Sequence, residues 1–149
     1  MSIRNKILED IITALKSQEK FKLEVLRYIN SQIKYKEIEL KRRQLNDKEV
    51  IEILISQLKK LDESLEMFNK GNRQDLIDKT NQEIEILKSY LPKQMSEEEL
   101  EKKVVKLLAK HQEIKNPGQL IGLAVKELAG KADNKRIAEV VMTKIRMTG

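Results

Sequence analysis

Apolar residues recur every three or four positions along most of the chain, the spacing that places them on one face of an α-helix. This pattern predicts a first helix behind Ser2, whose hydroxyl suits a helix N-cap, and a second helix from about Phe21 to Arg43. The basic run from Lys41 to Arg43 is then expected in the last turn of the second helix, where cations complement the helix dipole. The N-terminal part of the chain is therefore predicted to form two amphipathic helices.

The next two helices carry apolar residues at alternating intervals of three and four, like the a and d positions of a coiled coil. Asn46 with Glu49 resembles a capping box at the start of the third helix, and Gly71 is expected as the C′ glycine at its end. A linker of about four residues, Lys70 to Arg73, favours an antiparallel αα-hairpin. The apolar seam consists of Ile51, Leu54, Leu58, Leu61, Leu65 and Phe68 in the third helix and Ile77, Thr80, Ile84, Leu87 and Leu91 in the fourth. We expect this seam to be covered within the molecule, with a partner protein as the alternative.

Glycine and proline are rare, and aromatic residues make up only 3% of the chain. A β-sandwich or barrel needs frequent turns and strands rich in aromatic and β-branched residues, so the predicted fold class is all-α. Pro92 ends the fourth helix and marks a domain boundary. We therefore expect an N-terminal helical domain, residues 1–93, containing the long hairpin, and a small three-helix domain, residues 94–149.

The predicted C-terminal domain has a start signal before each of its helices. Ser96, followed by Glu99, forms a capping-box sequence, Asn116 precedes a proline at the first helical position, and Asp133 is expected as the N-cap of the last helix. Gly118 and Gly122 are four residues apart. They should therefore share a helix face and permit the close approach of another helix.

Charge is distributed unevenly along the sequence. The formal net charge of the whole chain is +6. Residues 100–149 contain eleven basic and five acidic side chains and no aromatic residue, whereas residues 1–99 are balanced. A concentrated positive charge attracts phosphates, and the missing aromatics argue against base stacking in this region. If this domain binds nucleic acid, backbone and shape contacts to a folded or duplex RNA are expected.

Several chemistries are excluded or disfavoured by composition. The chain has no cysteine and a single histidine, which excludes thiolate zinc sites, cysteine nucleophiles and multi-histidine metal sites. His111 is expected at the end of the fifth helix as a structural residue, with no obvious partner. No apolar run reaches the roughly 20 residues that span a bilayer. We expect a cytoplasmic protein with no metal, cofactor or membrane contact and without enzymatic activity of its own.

Two short elements resemble a known family: Tyr90-Leu91-Pro92-Lys93-Gln94, and the later run Gly130-Lys131-Ala132-Asp133. Together with Phe68…Arg73-x-Asp75-Leu76 and Leu26-Arg27, their order and spacing are similar to the YqeY-like family. The tail is similar to the C-terminal tail domain of the GatB subunit of the tRNA-dependent amidotransferase. The resemblance implies an all-helical protein whose tail associates with tRNA. It implies no amide chemistry for this chain, because in the amidotransferase that chemistry resides elsewhere.

The resemblance and the basic tail together give the candidate site. The expected RNA-binding residues are Lys126, Lys131, Lys135, Arg136 and Lys144. The expected partners are tRNA and, with it, an amidotransferase or an aminoacyl-tRNA synthetase. Where the family commonly has cations, this chain has Gln119, Glu127 and Ala129, so fewer phosphate contacts are expected. The alternatives are a protein-interaction module docking on such an enzyme, and a carbon–nitrogen ligase with glutamine as amido-N-donor.

Overall fold

The computed structural model describes residues 1–41 and 43–148, and within them the chain forms α-helices and no strand. The helices are α1 (Ile3–Lys16), α2 (Lys20–Glu39), α3 (Asp47–Lys70), α4 (Gln74–Lys88), α5 (Glu97–Lys110), α6 (Pro117–Glu127) and α7 (Asn134–Thr148). The predicted all-α class is confirmed. The chain divides into two compact units, Met1–Leu91 and Pro92–Gly149, and each has its own core.

The N-terminal unit packs α1 to α4 around an aliphatic core, and α3 and α4 form the predicted hairpin across a linker of three residues, 71–73. Leu54, Leu58 and Leu61 of the seam are buried, as are Ile84 and Leu87. The remaining apolar seam residues are half-buried. The seam is therefore covered inside the unit, and none of its residues is fully exposed.

The end of α2 differs from the prediction. The helix ends at Glu39, Leu40 is its C-cap, and Lys41 has a φ of 60°. Arg42 lies outside the described residues, and Arg43 follows the helix instead of belonging to its last turn. The Arg43 guanidinium donates to both carboxylate oxygens of Glu49, at 2.8 and 2.6 Å. Arg43 is thus held by an ion pair with the start of α3, and the helix dipole does not explain it.

The capping box predicted at the start of α3 is confirmed, since the Glu49 amide donates to Asn46 Oδ1 at 2.9 Å and the Asn46 amide donates to Glu49 Oε1 at 3.1 Å. The prediction for the other end of α3 is wrong. Gly71 is the C-cap with a φ of −89°, and the left-handed position belongs to Asn72, with a φ of 53°. Asparagine tolerates the left-handed conformation better than most residues, so Asn72 can occupy the position after the helix that we expected Gly71 to occupy.

Two polar contacts connect distant parts of the N-terminal unit. Arg4 in α1 contacts Glu37 in α2 through Nε–Oε2 and Nη2–Oε1 bonds of 2.6 and 3.1 Å, and the Leu45 amide also donates to Glu37, at 3.1 Å. The hydroxyl of Tyr90 donates to Asp10 Oδ2 at 2.6 Å. Burial, together with the hydrogen bond to Asp10, raises the pKa of Tyr90. These contacts fix α1 against α2 and against the segment after α4.

The C-terminal unit packs α5, α6 and α7 around a smaller aliphatic core. The N-caps predicted at Ser96 and Asn116 are confirmed: Ser96 Oγ accepts from the Glu99 amide, and Asn116 Oδ1 accepts from the amides of Gly118 and Gln119. The cap expected at Asp133 stays a prediction. The expected close helix approach at the two glycines is wrong. A Cβ on Gly122 would meet nothing within 4 Å, and one on Gly118 would meet Asn116 Oδ1 at 3.1 Å.

Candidate functional site

The turn between α6 and α7 is anchored to the segment that precedes α5. The side-chain amide of Gln94 donates to the carbonyl oxygen of Gly130 at 2.7 Å, and the Met95 amide donates to the carbonyl oxygen of Lys131 at 2.8 Å. Gly130 has a φ of 78°, which suits glycine, and Ala132 is buried. The two sequence elements that carry the resemblance are therefore hydrogen-bonded to each other.

This anchoring defines how Lys131 is presented. Its backbone is fixed on both sides, because its amide also donates to the carbonyl oxygen of Leu128 at 3.0 Å. Its side chain is exposed, and no carboxylate in the described part of the chain lies within ion-pair distance of it. A cation on a rigid turn reaches a phosphate at a smaller cost in conformational entropy than one on a mobile loop.

Lys126 and Lys135 share these properties. Both are exposed, and neither has an ion-pair partner among the residues that the structure describes. Lys126 lies in the last turn of α6 and Lys135 in the first turn of α7, on either side of the Lys131 turn. The packing of α6 against α7 therefore brings these three lysines to one end of the helix pair.

Arg136 and Lys144 are placed differently from the three lysines. The Arg136 guanidinium donates to the carboxylate of Glu97, and Lys144 Nζ lies 4.0 Å from Glu101 Oε2. With Glu139, these side chains line a groove between α5 and α7 that contains more acidic than basic groups. The predicted five-residue site thus separates into three cations that have no carboxylate partner in the described structure and two that contact acidic residues of α5.

The helix dipoles distinguish the candidate cations further. Lys126 has a structural explanation, because a cation in a last helical turn is stabilised by the dipole. Lys135 has the opposite placement: the first turn of α7 contains Lys135 and Arg136 and no acidic residue. The dipole disfavours a cation there, and the positive end of the helix adds to the local positive potential. The helix dipole therefore does not explain Lys135.

The single histidine has a neighbour that the sequence did not reveal. His111 is the C-cap of α5, and its Nδ1 lies 3.6 Å from Glu113 Oε1. Glu113, which follows the helix, is exposed. No group of three or more metal-ligating side chains occurs in the parts of the chain described by the structure. Among the same residues, no helix is both long and apolar enough to cross a membrane.

Gln94 is the residue of the site whose contact sequence reasoning missed. It forms part of the Tyr-Leu-Pro-x-Gln element, but nothing in the local pattern indicates a partner 36 residues away. Only the joint occurrence of this element and the Gly-Lys-Ala-Asp element in one chain hints that the two could be in contact.

Comparisons with known proteins assign the chain to a family. It is 30% identical over 126 residues to "Altered inheritance of mitochondria protein 41, mitochondrial" of Lachancea thermotolerans, which covers 83% of this chain and 67% of that protein. The protein of the same name from Kluyveromyces lactis is 30% identical over 132 residues, covering 87% of this chain and 68% of the relative. The names of these relatives place them in mitochondria, so the cytoplasmic location stays a prediction. Residues 4–145 match the family described as Yqey-like protein, and the chain therefore belongs to the YqeY-like family.

Proposed function

We infer that this protein is a non-catalytic accessory factor of aminoacyl-tRNA metabolism that binds tRNA through the surface formed by Lys126, Lys131 and Lys135. The observation that carries the proposal is the anchored turn. It presents three cations without carboxylate partners among the described residues at one end of α6 and α7. Such a surface contacts the phosphates of a folded RNA and positions it without reading its bases.

The chemistry of the surface argues for folded RNA over unpaired RNA. Residues 92–149 contain no aromatic side chain on which an exposed base could stack. Readers of single-stranded RNA usually depend on such stacking, whereas readers of folded RNA rely on phosphate and 2′-hydroxyl contacts. Among folded RNAs, we favour tRNA because the sequence elements of the tail resemble those of the GatB tail domain.

The two alternatives receive less support. A docking role for the α3–α4 hairpin needs exposed apolar seam residues, and the seam is buried or half-buried. A part in glutamine-dependent amide transfer rests on the family resemblance alone. We expect the purified chain to release no ammonia from glutamine, and release above a buffer control would revive this alternative.

Binding to bulk tRNA, measured by fluorescence anisotropy at several salt concentrations, tests the proposal. Three phosphate contacts predict a slope of about −2 to −3 when the logarithm of the binding constant is plotted against the logarithm of the salt concentration. Lys131→Glu and Lys135→Glu should each weaken binding and make this slope less negative by about 1. Lys106→Glu is the matched control, because Lys106 is an exposed α5 residue without an ion pair in the described structure and the substitution changes the charge equally.

Binding that responds equally to all three charge reversals would show that only net charge matters, and it would overturn the proposed surface. An absence of tRNA binding at low salt would overturn the proposal as a whole. The helical circular dichroism of each variant should match that of the parent, since all three positions are exposed.

A further inference from the structure

The solvent-facing side of α2 carries a repeated pair of residues. Arg27-Tyr28 recurs as Lys34-Tyr35, seven residues later. Seven residues are close to two helical turns, so the two pairs lie on the same side of the helix, about 10 Å apart along its axis. The opposite side of α2, including Leu26, Ile29 and Ile33, is buried in the core, so the repeat does not serve packing.

All four side chains of the repeat are exposed. Tyr28 and Tyr35 are 46% and 67% exposed, which is high for aromatic residues that must leave water to contribute to stability. Arg27 and Lys34 have no ion pair in the part of the chain that the structure describes. The unit therefore gains little stability from these residues.

The four exposed residues Arg27, Tyr28, Lys34 and Tyr35 form a stripe along α2. The acidic groups near this stripe largely contact other residues. Glu37 is bound to Arg4, and its charge also attracts that of Lys34; Glu39 lies 3.4 Å from Lys36. Glu24, one turn before Arg27, is the acidic side chain of α2 without a partner among the described residues. Beside Tyr35, the groove between α2 and α3 adds the ammonium group of Lys60. The stripe therefore combines positive charge with two accessible aromatic rings.

We propose that the exposed side of α2 binds single-stranded nucleic acid, with bases stacking on Tyr28 and Tyr35 and phosphates contacting Arg27 and Lys34. Cations that contact phosphates, combined with aromatic rings on which bases stack, are the chemistry that single-strand binders use. The small side chain of Ser31, whose hydroxyl bonds to the Tyr28 carbonyl oxygen at 2.6 Å, lies between the two rings and leaves room for bases. This surface belongs to the N-terminal unit, and it is independent of the tRNA contacts proposed for the tail.

A membrane surface fits the stripe less well. An interfacial helix needs a broad apolar face to enter the lipid, and the apolar face of α2 is already buried within the unit. On the exposed side, Ile38 is the one aliphatic residue of α2 that is strongly exposed, at 72%. Tyrosine with arginine or lysine suits stacking and phosphate contact better than it suits insertion into a bilayer.

The test uses the full chain and a dye-labelled single-stranded oligonucleotide of about 12 nucleotides, within the range of known single-strand sites. Tyr28→Ala with Tyr35→Ala should weaken binding about tenfold or more, whereas the corresponding changes to Phe, which keep the ring, should stay within about twofold. Ile12→Ala is the matched control, because it also removes a large side chain, 54% exposed, from the same unit.

The charge contribution is tested by Lys34→Glu, with Lys48→Glu as the matched reversal at an exposed residue of the same unit. Lys34→Glu should weaken binding and make the salt slope less negative by about 1, whereas Lys48→Glu should do neither. Lys131→Glu should weaken oligonucleotide binding no more than Lys48→Glu does, which separates this surface from the tail. The proposal is overturned if the wild-type chain does not bind the oligonucleotide, or if the tyrosine changes reduce binding to phosphatidylserine vesicles and leave oligonucleotide binding intact.

Discussion

The side-chain amide of Gln94 and the carbonyl oxygen of Gly130 lie 2.7 Å apart, although 36 residues separate them in the sequence. This bond, with the neighbouring bond from Met95 to Lys131, joins the two elements that identify the family. Each element therefore holds the backbone of the other in place. The side chain of Lys131 is exposed beside this bond.

Replacement of Gln94 by alanine should loosen the turn. The carbonyl oxygen of the buried Gly130 loses its partner, at a cost of about 1 kcal/mol. Because residues 92–149 contain no aromatic residue, fluorescence does not report on this unit, and amide hydrogen exchange is the suitable measurement. Exchange at the Met95 amide should become about five times faster. Lys93→Ala, at an exposed neighbour, should leave it unchanged, and an equal effect of both variants would refute the anchoring role.

The same substitution should have opposite effects at two glycines of the C-terminal unit. Gly130→Ala forces alanine into a left-handed φ of 78° and should destabilise the unit by about 1 to 2 kcal/mol. Gly122→Ala adds a methyl group to open space within α6 and should stabilise it by about 0.5 to 1 kcal/mol. Chemical denaturation followed by circular dichroism measures both changes, and destabilisation by Gly122→Ala would contradict the open environment.

Removal of the Arg4 side-chain charge should strongly destabilise the N-terminal unit. Arg4→Met leaves the mostly buried carboxylate of Glu37 without its guanidinium partner, and we expect a loss of about 2 kcal/mol. Lys6→Met is the control on the same helix, because Lys6 is exposed and its contact with Asp10, at 3.3 Å, is worth less than about 0.5 kcal/mol. Urea unfolding monitored by tyrosine fluorescence compares the two, and equal losses would argue against a special role for the Arg4–Glu37 pair.

Glu49 should titrate far below an ordinary glutamate. The Arg43 guanidinium, helped by the Asn46 amide, lowers the pKa of Glu49 from 4.5 to about 2. Since the folded state holds this carboxylate charged, the stabilisation is fully present above pH 4.5 and is lost as the pH falls towards 2. Carbon-detected NMR titration should show a higher pKa in Arg43→Ala, still somewhat lowered by the Asn46 amide. An unchanged pKa in that variant would contradict the assigned cause.

Features determined by neighbouring residues could be predicted from the sequence. The caps at Ser2, Asn46, Ser96 and Asn116 need only a side chain and an amide two or three residues away, and all four are present. The hairpin could be predicted for the same reason, because its seam repeats at a regular spacing. Errors arose where two local solutions compete, as at Asn72, which takes the left-handed conformation that glycine usually adopts.

Contacts between distant residues could not be predicted. The partner of Tyr90 is Asp10, 80 residues earlier, and the partner of Arg136 is Glu97 in a different helix. For the candidate site, the sequence identified the five cations but could not separate Arg136 and Lys144, which contact acidic residues, from the three lysines around the turn. That separation depends on how α5 packs against α7, and helix packing is not encoded in any short motif.

The bond between Gln94 and Gly130 also has a consequence during protein synthesis. A ribosome adds about 5 to 20 residues per second, so roughly 2 to 7 seconds pass between the synthesis of Gln94 and that of Lys131. During this interval, α5 can form behind its Ser96 cap, but α6 is complete only near its end and α7 follows later, so Leu100 and Val104 are at first uncovered. The nascent C-terminal unit therefore exposes an apolar helix face until α7 and the anchoring turn are made.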